Sequence, residues 1–159
     1  MDEDTLRVLL GADDVDRCES PRGFRWETEM AKVRALGPVL ERIAGRKFEV
    51  DENVQDASFF TDLGTYDTRA RPQGGTLRFA VLTVRFSSFG RLFTVWSVDD
   101  DAEAVRGPKL PPEIVRAVID AVGQQGYVYV DAEALHADYT GANPHLQGGS
   151  WWIRFFDYL

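Results

Sequence analysis

The sequence predicts an α+β fold, a mainly antiparallel sheet of about five strands packed by two to four helices. Three observations point there. Short apolar segments alternate with period two, two of them flank Gly90 as a central hairpin over about residues 76–98, and only about three stretches carry a helical apolar stripe. A chain of 159 residues buries an adequate core without a metal or disulfide staple, so one domain spanning 1–159 is expected.

Residues 5–10 fit either a short strand or a first helical turn, and the acidic loop after them ends in Ser20-Pro21-Arg22-Gly23. From Trp26 onward, Met30, Val33, Leu40 and Ile43 recur at helical spacing, with Gly45 as the stop. Pro38 either kinks this helix or opens a second one. Residues 47–50 alternate as a strand. Residues 56–66 read as a short helix or a packed loop, with Asp56 as a possible cap, and 67–75 as a polar loop.

The hairpin is the firmest expectation, because Leu77, Phe79 and Val81 alternate and Gly90 is free to take a positive φ. Pro111-Pro112 then opens a helix whose apolar face is Ile114, Val115, Val118, Ile119 and Val122. Residues 127–130 form a strand, Asp131 caps a helical turn, and 139–150 is a Gly-rich loop. The aromatic run 151–156, apolar on both alternating faces, reads as a closing strand and as a possible oligomer contact.

The charge is unevenly spread. Residues 1–20 hold seven acids and two bases, residues 21–96 nine acids and twelve bases, and residues 97–159 ten acids and four bases. The net charge of -8 disfavours nucleic acid and suits a basic protein partner. Arg69, Arg71, Arg78, Arg85 and Arg91 interleave with Phe79, Phe86 and Phe93 as a base-stacking sheet would require, but Arg78 and Phe79 fall on opposite faces. No run approaches about 18 apolar residues, so no membrane span is expected. One cysteine, Cys18, and an acidic N-terminus without an apolar leader suit a reducing, cytoplasmic setting.

No catalytic motif stands out. There is no G-x-S-x-G elbow, P-loop, G-x-G-x-x-G fingerprint or H-E-x-x-H. Neither an enzyme activity nor a cofactor or metal is expected. The acidic runs Asp13-Asp14-x-Asp16 and Asp99-Asp100-Asp101 lack the oxygen spacing and central Gly of an EF-hand. His136, Asp138 and His145 offer an alternative ligand site, provided the fold brings them together.

The expected function is therefore an acidic protein-binding module, comparable in class to immunity- or antitoxin-type inhibitors of basic proteins. Asp13, Asp14, Asp16, Asp99, Asp100 and Asp101 supply its charge, and Phe89 and Tyr139 its aromatic anchors. A small enzyme or ligand-binding domain built on His136, Asp138 and Tyr139 is the alternative, and a structural or assembly subunit is the third.

Overall fold

The computed structural model describes residues 1–71, 73–96 and 109–158. It is an α+β fold whose five-stranded sheet runs in the order β1-β2-β3-β4-β5. The strands are β1 (Glu49–Val50), β2 (Phe59–Ala70), β3 (Thr76–Ser87), β4 (Leu92–Trp96) and β5 (Val128–Tyr129). The first three pairings are antiparallel, and β5 pairs parallel to β4 after the chain has crossed over through a helix.

The helices are α1 (Glu3–Ala12), α2 (Trp26–Ala44), α3 (Pro112–Gly123), α4 (Ala132–Leu135) and α5 (Trp151–Phe156). Residues 5–10 thus resolve as helix, because Asp2 accepts the Thr5 N–H at 2.8 Å and Glu3 and Asp4 favour the positive first turn. Helix α2 runs unbroken through Pro38 and stops where Gly45 turns left-handed at φ 64. Asp131 caps α4 by accepting the Glu133 N–H at 2.8 Å.

Each face of the sheet carries its own apolar cluster. On one face Leu63, Val84 and Val95 stand in register across β2, β3 and β4, and α2 and α3 cover them with Met30, Val33, Leu40, Val118 and Val122. The other face carries Leu92, packed with Leu9 of α1, Leu135 of α4 and Trp151, Phe155 and Phe156 of α5. On that second face Arg85 alternates with the buried Val84 and Phe86. It forks onto Asp62 at 2.9 and 2.8 Å and donates to the Phe156 carbonyl at 2.8 Å. Burial pushes the Asp62 carboxyl up, and Arg85 pulls against it.

Two expectations are corrected here. Of residues 56–66 only 56–58 stay outside regular structure: β2 begins at Phe59 and continues to Ala70, into the stretch expected as a polar loop, and Asp56, at φ 52, caps no helix. A register shift between Phe59 and Thr61 turns Phe60 and Leu63 toward the same core, so a spacing of three that looks helical belongs to a bulged strand. The run 151–156 is a helix, not a strand. Ser150 accepts the Ile153 N–H at 3.4 Å, and the i,i+4 pair Trp151–Phe155 stacks at 5.7 Å inside the second cluster. An oligomer through a C-terminal strand is thereby lost. No described helix is long and apolar enough to cross a membrane.

Candidate functional site

The acidic loop after α1 is built around one guanidinium. Arg154 is fully buried on α5, where its Nε donates to Asp13 Oδ1 at 2.5 Å, Nη1 to the Cys18 carbonyl at 3.1 Å and Nη2 to the Asp14 carbonyl at 3.0 Å. Its flat face lies 3.9 Å from the Phe89 ring centroid. The other Asp13 oxygen accepts the Tyr139 hydroxyl at 2.5 Å, and that hydroxyl in turn accepts the Asn143 N–H at 2.8 Å. Burial and the neighbouring Asp13 carboxylate push the Tyr139 phenol up to about 12.

This network redistributes the expected partner-binding residues. Asp13 is consumed inside the protein, its side chain 5% exposed. Phe89 and Tyr139 are core residues of the second cluster and offer no surface to a partner. Phe89 is buried because the β3–β4 turn tucks under α1, and Tyr139 because its hydroxyl is needed by Asp13. Asp14 is half-buried and accepts the Asp16 N–H at 3.1 Å, and Asp16 and Glu19 are exposed. Asp99, Asp100 and Asp101 lie outside the described residues.

The alternative ligand site does not assemble. His136 is exposed at the end of α4, with its ring stacked on Trp152 at 5.6 Å. Asp138 is exposed and bridges Ser150 through its backbone, while exposed His145 donates its N–H to Asn143 Oδ1 at 3.0 Å. Tyr139 faces the other way, toward Asp13. Among the described residues no three His, Cys, Asp or Glu side chains are grouped to hold a metal.

A cavity of about 320 Å³ lies elsewhere, between residues 21–25, the first turn of α2 and the β3–β4 turn. Phe24, Phe60 and Tyr127 give it apolar walls, and Arg22, Arg25 and Arg91 line it with positive charge. Its one carboxylate, Glu29, is already engaged by Lys32 at 2.5 Å and by the Tyr127 hydroxyl at 2.8 Å. Burial raises the Glu29 carboxyl, but Lys32 and Tyr127, with a further pull from the Arg91 charge, outweigh it and hold it below the usual range. A second cavity of about 210 Å³ shares Phe24, Phe60 and Ser88 with the first.

None of these cavity residues stands out in a linear reading. The available signal is the pair Arg22 and Arg25 around Gly23 just before a helix, together with Arg91 directly after the turn glycine. Compared with known protein families, curated proteins and solved structures, the chain matches none.

Proposed function

We propose that this chain is an acidic protein-binding module for a basic partner protein, an inhibitor of the immunity or antitoxin type. One observation supports the reading: Arg154 braces the acidic loop from within, bonding the Asp13 carboxylate and the Asp14 and Cys18 carbonyls. Asp16 and Glu19 are then displayed on a loop whose ordering cost is met by folding rather than by binding. Exposed carboxylates on a rigid loop steer a cationic partner and compete for its basic groups. The second acidic run, Asp99 to Asp101, is not needed for this reading. A cytoplasmic setting with Cys18 reduced belongs to the same proposal, which assigns no reaction to the chain.

The test is charge reversal on the braced loop. The wild-type chain and the Asp16→Lys/Glu19→Lys variant are immobilised and exposed to native-host extract, and retained proteins are identified and purified. The expected result is a basic protein held by the wild type, released as salt rises, and not held by the variant. Failure to retain a basic protein at low salt, or equal retention by the variant, rejects the reading.

A further inference from the structure

We propose that the cavity between residues 21–25, the start of α2 and the β3–β4 turn binds a small organic anion, one carboxylate or phosphate group on a flat apolar body. The inference is independent of the acidic loop and rests on charge, polarity and shape together.

Charge comes first. Three guanidinium groups, Arg22, Arg25 and Arg91, line this one cavity in a chain whose net charge is -8. None of the three makes an ion pair or a side-chain hydrogen bond among the described residues, whereas Arg34, Arg46, Arg78, Arg85 and Arg154 all have carboxylate partners. Glu29, the one carboxylate in the lining, is paired to Lys32 and feels Arg91 only through space, so one acid stands against three arginines. The cavity lining therefore carries more positive than negative charge. Planar guanidinium forks match both carboxylate and phosphate.

The polar lining agrees. Arg25 is the N-cap residue of the 19-residue helix α2, and no side chain caps that end, although Glu27 and Glu29 in the first turn offset part of its positive character. Ser88 is 7% exposed, its hydroxyl has no hydrogen-bond partner among the described residues, and it lines both cavities. That hydroxyl is available to donate to a ligand oxygen in the cavity.

Shape selects an organic anion over a bare one. Phe24 and Phe60 stand 5.3 Å apart between their ring centroids, and the Tyr127 ring forms a further wall with the Arg91 guanidinium 5.4 Å above it. Arg91 adopts a left-handed backbone, φ 55, which a non-glycine residue takes at a cost. A volume of about 320 Å³ is at the lower end of small-molecule sites and suits a single-ring ligand.

The experiment is a titration of the ¹⁵N-labelled full chain, followed by amide chemical shifts, with four probes. Benzoate and phenyl phosphate carry both ring and charge, benzyl alcohol carries only the ring, and inorganic phosphate only the charge. The expected result is saturable shifts at Gly23, Phe24, Ser88 and Arg91 for benzoate or phenyl phosphate, with a Kd at or below about 1 mM. Benzyl alcohol and inorganic phosphate should bind at least about tenfold more weakly, and Arg25→Gln and Arg91→Gln should each weaken the anion by roughly tenfold. Arg25→Gln alters an exposed side chain without a described partner, so it carries the test even if Arg91→Gln loses stability. The proposal is overturned if benzyl alcohol binds as well as benzoate, if inorganic phosphate matches phenyl phosphate, if the shifts map elsewhere, or if nothing saturates by about 10 mM.

Discussion

Arg154 Nε stands 2.5 Å from Asp13 Oδ1 although the two residues are 141 positions apart in the chain. Both side chains are almost wholly shielded, so the pair joins the first loop to the last helix in a setting where an unpartnered charge is expensive. Replacing Arg154 by Met should cost about 3–5 kcal/mol, because Asp13 is left buried and the Asp14 and Cys18 carbonyls lose their donor. Asp13→Asn/Arg154→Met should cost clearly less than the two single changes added together. Urea unfolding of all four proteins gives the coupling, and strict additivity would mean that the pair does not act as a unit.

Gly141 is required by the same network for reasons of space. A Cβ there would run into Asp13 Oδ2 and the Tyr139 hydroxyl, so Gly141→Ala should destabilise by about 1–3 kcal/mol as that hydrogen bond is forced apart. Gly11, inside α1 with no neighbour in the way, should respond oppositely: Gly11→Ala should stabilise by about 0.5–1 kcal/mol. Thermal melts of the two variants provide a matched comparison.

Tyr139 sets an alkaline limit on stability. Its phenol rises from 10.0 to about 12 in the folded chain, so the folded form holds its proton where the unfolded form has lost it. Its contribution is full below pH 10.0 and is lost as pH rises through about 12. Denaturation across that range should show a falling stability that is shallower in Tyr139→Phe, and tyrosinate absorbance should show one late phenol fewer in that variant. Identical slopes in the two proteins would contradict the assignment.

The β3–β4 turn separates stability from binding. Gly90 (φ 59) and Arg91 (φ 55) are both left-handed, and a Cβ on Gly90 would strike Ala12 at the end of α1. Gly90→Ala should therefore destabilise by about 1–3 kcal/mol. Arg91→Gly relieves backbone cost while giving up the contact with Tyr127, so stability should stay within about 1 kcal/mol. Binding of phenyl phosphate should nonetheless weaken by roughly tenfold. Parallel melts and titrations of the two variants check this, and a loss of stability in Arg91→Gly equal to that in Gly90→Ala would count against the assigned roles.

Much of the fold is legible in local pattern. The stripe from Trp26 to Ile43 becomes α2, the face from Ile114 to Val122 becomes α3, and Gly90 turns the hairpin. The failures have physical causes. The bulge near Thr61 gives β2 a helix-like spacing, and six aromatic-rich residues are too few to distinguish period two from period 3.6. Ser150 before that run was the available helix signal.

The candidate sites were less legible. Phe89 and Tyr139 look like loop aromatics but complete the second core, and Asp13 resembles its acidic neighbours until Arg154 claims it. The amino-acid order by itself determined an acidic chain, a sheet built around a glycine-turned hairpin, and amphipathic helices to cover it, because these depend on residues at most four positions apart. Only the tertiary structure decided which acid is structural, which are displayed, and that three separate arginines share one cavity. Those outcomes depend on how two helical layers close over opposite faces of the sheet, which sets distances between side chains that no short-range period records.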